Sequence, residues 1–284
     1  MKHFADQAGG HHLIKFREGV IYKPTKKLEF IFYAEVLSVY TELSEFTPKF
    51  YGGGTIDEIL DVPMLFTEAE LQLIHEKKYT HYIKLENLLA GNNDTAVTNN
   101  ATTIIDLKLG TIHWKTTTSL RKIAATKMRN ANSVMHQMRF RLDGYISKPK
   151  QQQMLKEDCR SLNATQVLAM LQDSLTVEDI NYVNTWLTRL ADVLLTHVTL
   201  LNIYGPSVLI IKTGYDSNRS DTSGDTSGDT SGDGGNGISV RCMLIDFTSY
   251  EDLIKVSAAR DPIIHQDLYV SLIALKETLA SLVQ

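Results

Sequence analysis

Cysteine is scarce: Cys159 and Cys242 are the only two in 284 residues. They lie far apart and neither belongs to a Cys-x-x-Cys pair. They read as two reduced thiols rather than as a disulfide or a metal site, and they point to the cytoplasm or nucleus. Long apolar runs are also missing. No segment approaches the roughly 20 apolar residues of a membrane helix. The opening residues, MKHFADQAGGHHLIKF, lack the apolar stretch of a secretory signal. The expectation is a soluble monomer without a membrane partner. Neither Gly-x-x-x-x-Gly-Lys-Ser/Thr nor Gly-x-Gly-x-x-Gly occurs, which excludes a P-loop and a protein-kinase glycine loop. What remains is ordinary globular composition, 43% hydrophobic and 22% charged. It suffices for one large domain or two lobes around a cleft.

The net charge of −4 is unevenly spread. From Lys108 to Lys150 there are ten Lys or Arg and one acidic residue, Asp143. A basic island in an otherwise acidic chain suggests a site for a dense anion. Nucleic acid fits poorly, because the cations lack the interleaved aromatics that stack bases; Trp114 and Phe140 only flank the segment.

The organisation is strands first and helices later, which indicates an α+β fold. Leu13–Phe16 and Val20–Lys23 flank a turn at Arg17-Glu18-Gly19. A helical stretch runs from Lys27 to Leu43, and Gly52-Gly53-Gly54 leads into extended chain with a strand at Thr80–Lys84. A short strand is expected at 103–107. Helices are expected over 118–135 and over 176–202, the latter capped by Thr176. Residues 208–212 and 238–245 should form an antiparallel pair. Between them the repeat DTSGDTSGDTSGD has nothing apolar to bury and reads as a flexible linker, 217–237.

Four places carry possible chemistry. Lys23 closes a strand, from which it either reaches a phosphate or simply meets solvent. Ile83–Leu89 is either a hinge offering backbone groups to a base or a strand leading into a loop. Asp106 and Lys108 lie two apart on a strand and so share a face. They form either a surface ion pair at a sheet edge or a pair that orients a hydroxyl beside a phosphate. Asp246, between Ile245 and Phe247, is either a metal ligand or a cap, since a carboxylate among apolar neighbours needs a cation.

Taken in order, these segments resemble the inositol polyphosphate kinases. Asp106-x-Lys108-x-Gly110 is similar to the family's PxxxDxKxG signature, with Thr102 in place of its proline. Val20-Ile-Tyr-Lys-Pro24, Phe46-Thr-Pro-Lys-Phe-Tyr-Gly52, Leu85-Glu-Asn-Leu88, Ser207-Val-Leu-Ile-Ile211 and Ile245-Asp-Phe247 follow the family's order. Pro206 stands where the family has the first serine of its SSLL segment. Ala8-Gly-Gly-His11 and Asp-Leu-Lys-Leu-Gly-Thr111 look most like inositol hexakisphosphate kinases.

The resemblance implies a two-lobed, protein-kinase-like fold with an antiparallel N-lobe sheet (1–85), a hinge and connector (86–102), and a C-lobe of sheet plus helices (103–284). ATP would bind between the lobes with Mg²⁺. Lys23 would hold ATP phosphates, and its acidic partner is either Glu29 or Glu35. Glu86 and Leu88 would hold adenine through backbone groups. Asp106 would orient or deprotonate the acceptor, and Lys108 would bind its phosphate. Asp246 would hold the metal, with Ser207 near the metal or nucleotide. The basic segment, 112–150, then has a reason: Lys115, Arg121, Lys122, Lys127 and Arg129 would surround an inositol polyphosphate. The alternatives are a multikinase or trisphosphate kinase that makes monoesters, or a non-catalytic inositol-phosphate-binding module.

Overall fold

A computed structural model describes residues 13–60, 66–89, 102–112, 118–197, 201–214, 239–252 and 262–283. The first lobe is built on an antiparallel sheet of β1 (Lys15–Arg17), β2 (Val20–Thr25), β3 (Phe50–Thr55) and β4 (His81–Glu86), in the order β1-β2-β4-β3. Glu18 and Gly19 both take left-handed backbone (φ 53° and 78°), the geometry of a tight two-residue hairpin between β1 and β2. Gly53 is required for a different reason. A Cβ there would lie 2.3 Å from the Tyr82 carbonyl oxygen, so only glycine lets β3 sit against β4.

The helical stretch predicted from Lys27 to Leu43 is not one regular helix. It comprises α1 (Lys27–Ile31), a π-helical turn (Phe32–Val36), α2 (Leu37–Val39) and a 3₁₀ segment (Thr41–Phe46). The wider turn brings Phe32, Tyr33 and Val36 into the core together. Two short helices, α3 (Ile56–Leu60) and α4 (Glu68–Glu76), complete the lobe. Thr67 and Glu70 form a reciprocal cap at the start of α4.

The second lobe holds a five-stranded antiparallel sheet in the order β10-β9-β5-β6-β7, made of β5 (Thr102–Leu109), β6 (Phe140–Ser147), β7 (Gln152–Met154), β9 (Ser207–Thr213) and β10 (Ser239–Ile245). The predicted pairing across the repeat is present, from Ser239 opposite Thr213 to Ile245 opposite Ser207. The repeat itself, the 217–237 linker and Ala8–His11 lie outside the described residues. A small ribbon joins β8 (Leu201–Ile203) to β11 (Tyr250–Asp252).

Among the described residues, six helices surround these strands: α5 (Leu120–Asn130), α6 (Val134–Met138), α7 (Lys156–Ser161), α8 (Ala164–Ser174), α9 (Val177–His197) and α10 (Pro262–Ser281). Two expectations need correction. The helix over 118–135 breaks after Asn130, and α6 restarts on a Ser133 cap that accepts the His136 N–H. The helix over 176–202 is described as far as His197, and 201–203 is strand. Thr176 does cap α9, accepting the Asp179 N–H at 3.3 Å while Asp179 accepts the Thr176 N–H at 2.8 Å.

Alternation along β5 divides its work. Ile105, Leu107 and Leu109 enter the main core with residues of α8, α9 and α10, while Ile104 packs with Leu88, Ile146 and Ile211 on the opposite face. The two lobes are joined by aromatics. Phe247 stacks on Phe32 at 4.0 Å, and Tyr250 meets Phe32 edge-on at 5.2 Å. Each such ring buried from water contributes roughly 1.5–3 kcal/mol. Among the described residues no helix is long and apolar enough to cross a membrane. Both cysteines are free and buried, and burial pushes both thiols up to about 12, which keeps them inert.

Candidate active site

Strand register gathers segments that are distant in sequence. Lys108 lies opposite Ser207, and Ser207 lies opposite Ile245. One row across the sheet therefore runs from the Asp-x-Lys motif to the residue before Asp246. Asp106 is one pleat along on the same face, opposite Gly144, which presents no side chain to it. Because β5 is the central strand, Asp106 and Lys108 are not an ion pair at a sheet edge. Lys108 turns instead to Asp246, with Nζ 3.6 Å from Oδ2.

Asp246 follows β10 directly and has left-handed backbone (φ 68°), a conformation that costs a non-glycine residue about 1–2 kcal/mol. The buried Phe247 wedged against Phe32 and Tyr33 holds it there. The turned backbone aims a partly exposed carboxylate at the first lobe, where Lys23 Nζ stands 3.0 Å from Oδ1. Lys23 also donates to Glu29 Oε1 at 2.8 Å, and Thr25 Oγ1 donates to the other oxygen of the same carboxylate. Glu29 is fully buried, whereas Glu35 is exposed on the π-helical turn; the partner of Lys23 is Glu29. Burial opposes the charge on Lys23, but Asp246 and Glu29 overcome that, and its pKa lies above the ordinary lysine value. A cation held by two carboxylates at the junction of the lobes is pre-set to meet a phosphate.

Asp106 is the unusual group. It is 5% exposed, and Oδ1 has no hydrogen-bond partner. Its pKa is pushed up to about 7, first by burial and then by the negative charge of Asp246, against the opposing pull of Lys108. The Ser207 hydroxyl lies near enough to favour the ionised form slightly, yet Ser207 Oγ is itself buried without a bonded partner. Two buried oxygens without a bonded partner cost about 1–3 kcal/mol each, and a bound molecule could complete their bonding.

Glu86 is the last residue of β4, and Leu88 follows it at the crossing between lobes. Sequence reasoning missed what fastens this crossing. Arg241 reaches from β10 to Glu86 Oε1 (2.6 Å) and to the Leu88 carbonyl oxygen (3.3 Å). The available signal was an arginine inside the otherwise apolar strand Val-Arg-Cys-Met-Leu-Ile. Below the crossing, Leu88, Ile104 and Ile211 make an apolar floor with Leu209 and Met243 packed on it, suited to the face of a base.

The basic island divides under inspection. Arg141 pairs with Asp143 at 2.9 Å, and Lys156 pairs with its other oxygen at 2.7 Å. Lys150 pairs with Asp173. Those cations are occupied within the fold, so ten against one overstates the free positive charge. Arg121, Lys122 and Lys127 are exposed on α5, the helix that also carries Arg129. Lys115 lies outside the described residues. The structure thus brings together Lys23, Asp106, Lys108, Ser207 and Asp246, places Glu86 and Leu88 at the crossing, and puts Arg121, Lys122 and Lys127 exposed on a separate helix.

A metal ion has a restricted place here. Among the described residues no group of three or more His, Cys, Asp and Glu is positioned to hold one. An ion carried in on nucleotide phosphates needs only one or two protein carboxylates. Asp246, with the unpaired Oδ1 of Asp106 buried near it, fits that demand.

The inositol polyphosphate kinase family model matches residues 82–269, well over half of the chain. No curated protein sequence matches. Among solved structures, the inositol phosphate multikinase Ipk2 of S. cerevisiae, in complex with ADP and Mn²⁺, is similar with 19% identity, 94% of this chain and 100% of that chain covered, and a TM-score of 0.59. A second inositol phosphate multikinase structure is similar with 15% identity, 89% and 96% coverage, and a TM-score of 0.53. These likenesses show the two-lobed α+β kinase fold, and the family match shows the rest: the chain belongs to the inositol polyphosphate kinase family.

Proposed function

We propose that this kinase moves the γ-phosphoryl group of MgATP onto a highly phosphorylated inositol, with inositol hexakisphosphate as acceptor and a diphosphoinositol pentakisphosphate as product. The observation that carries the reading is the row Lys23–Asp246–Lys108 with Asp106 beside it. It sets two cations, one partly exposed carboxylate and one proton-poised carboxyl around a single point between the lobes. Adenine lies on the floor below Leu88 and hydrogen-bonds with backbone groups of Glu86 and Leu88. Lys23 binds the nucleotide phosphates, and Glu29 keeps its ammonium in place. Mg²⁺ bound by Asp246 and those phosphates would neutralise charge on the transferring group.

Lys108 exchanges Asp246 for an acceptor phosphate. Asp106, with a pKa pushed up to about 7, either takes the proton of an attacking hydroxyl or orients an attacking phosphate oxygen. Ser207 completes the bonding around it. Arg121, Lys122, Lys127, Arg129 and Lys115 supply the charge that a hexakisphosphate requires and a trisphosphate needs less.

The two solved relatives are multikinases, so transfer to tris- and tetrakisphosphates with monoester products is the second reading. Incubation with MgATP and a panel of inositol phosphates, followed by ³¹P NMR, separates them. Diphosphate coupling in the product supports the first reading. Monoesters alone overturn it in favour of the second. ATP-independent binding without turnover of any acceptor overturns both and leaves a binding module.

A further inference from the structure

The Asp-x-Lys-x-Gly motif ends at Gly110, and the chain then departs from the sheet to carry the basic residues, returning through Arg139 to β6. Both ends of this excursion meet one side chain of α10. Asp267, in the buried face of α10, accepts the Thr111 hydroxyl on Oδ1 at 2.7 Å and the Ile112 N–H on Oδ2 at 2.9 Å. At the returning end, the Arg139 guanidinium stands 3.6 Å from Oδ1. The two ends also touch each other, with Gly110 N–H donating to the Arg139 carbonyl at 3.1 Å.

The geometry leaves little slack. Gly110 has φ +87°, and a Cβ there would lie 2.8 Å from Asp267 Oδ2. The glycine of the motif is therefore explained by the approach of this carboxylate. Arg139 is left-handed too (φ 62°), at the point where α6 turns back into the sheet. Asp267 is 7% exposed, and the helix that bears it is anchored by the fully buried Leu272, Leu275 and Leu279. The body of the lobe thus holds a fixed anion that ties both ends of a segment whose α6 packs Met135 into the core and whose α5 is largely exposed.

We infer that Asp267 is a positioning residue for the inositol phosphate. It clasps the two ends of the 110–139 excursion and so fixes where Arg121, Lys122, Lys127 and Arg129 stand relative to Lys108. It touches neither substrate nor nucleotide. This inference rests on the reading of that segment as the acceptor wall. The carboxylate is needed as such: two oxygens receive a hydroxyl, a backbone N–H and a guanidinium. An asparagine keeps one acceptor and turns an N–H₂ towards a donor.

The test uses the full chain with two kinds of variant and two readouts. Asp267→Asn and Thr111→Val each remove part of the clasp, Thr111→Ser retains it, and Thr111→Val remains informative if Asp267→Asn fails to fold. KM is measured for inositol hexakisphosphate, for a trisphosphate and for ATP. Tryptic cleavage within α5 is followed in parallel, because its Arg and Lys residues are the cleavage sites. Displacement of a binding group by about an ångström costs ~10- to 100-fold, so Asp267→Asn should raise KM for hexakisphosphate about tenfold. KM for ATP should stay within about twofold, α5 should be cut faster, and Thr111→Ser should behave as wild type. An unchanged rate of α5 cleavage overturns the clasp, whatever the substrate proves to be. Faster cleavage with unchanged KM for both inositol phosphates also overturns the inference, by showing that the clasped segment is not the acceptor wall. An equal rise in KM for ATP and acceptor would reduce Asp267 to general stability and overturn it as well.

Discussion

Replacing Asp106 with asparagine should stabilise the ligand-free protein while removing its activity. In an unfolded chain this carboxyl ionises near 3.8; in the fold it keeps its proton to about 7. The direction follows from linkage. Below about pH 4 both states are protonated and the group costs nothing. Between the two values the unfolded chain releases a proton that the folded one retains, so stability falls as pH rises. Above about pH 7 the cost is constant. Each pH unit is worth about 1.4 kcal/mol, and the interval of roughly three gives an upper limit of about 4 kcal/mol. Relaxation and water entry at a site so near the cleft reduce this, and about 2 kcal/mol is the working figure. Asparagine has no proton to lose, keeps the shape, and escapes the penalty.

For a chain of this size, about 2 kcal/mol corresponds to a rise in Tm of roughly 4 °C. The assay is thermal unfolding of wild type and Asp106→Asn between pH 5 and 8.5, without nucleotide or divalent metal, beside turnover measurements on the same samples. The difference in Tm should be small at pH 5, grow through pH 6 and 7, and level off above it, while phosphoryl transfer is lost at every pH. An asparagine variant less stable than wild type at pH 8, or a difference in Tm independent of pH, would refute the claim that Asp106 is held protonated by burial and by Asp246.

Asp246→Asn should reduce transfer to every acceptor by ~10²-fold or more, and retention of a tenth of wild-type turnover at saturating Mg²⁺ would remove Asp246 as metal ligand. Glu29→Ala strips a fully buried partner from Lys23 and should cost about 3 kcal/mol; unfolding in denaturant measures it, and a loss under about 1 kcal/mol would mean that Asp246 alone suffices. The triple substitution Lys122→Ala, Lys127→Ala and Arg129→Ala should lower kcat/KM much more for hexakisphosphate than for trisphosphate and flatten its salt dependence; an equal fall for both acceptors contradicts the acceptor-wall reading. Replacing residues 221–235 with a short Gly-Ser turn should leave activity and Tm nearly unchanged, since loop closure changes by only about 0.6 kcal/mol per doubling of length, and a large loss of turnover would tie the repeat to the site.

What was legible in the sequence divides along a physical line. Elements with a clear apolar signal were visible: the antiparallel pair of β9 and β10 lies where two short apolar runs put it, and Thr176 caps α9 as its residue type requires. The break between α5 and α6 was not visible, because Ala131, Val134 and Met135 keep the helical period through it and only tertiary contact decides where the helix stops. The site follows the same division. Asp106, Lys108, Ser207 and Asp246 were nameable from motif order, but their meeting depends on sheet register, which brings Ser207 between Lys108 and Ile245.

The choice between Glu29 and Glu35 turned on a π-helical turn that no propensity announces. Arg241 and Asp267 were missed for a shared reason. Each is a charge in an apolar element whose partners lie far off in sequence, and a lone charge carries no period. A charge kept in such a place is costly unless something waits for it. For Arg241 the partners are Glu86 and Leu88; for Asp267 they are Thr111, Ile112 and Arg139. Asp106 has the same kind of setting and still keeps one oxygen without a partner. On the proposed function its missing partner is an acceptor group, and the cost it imposes on the ligand-free fold is the counterpart of the role in transfer proposed for it.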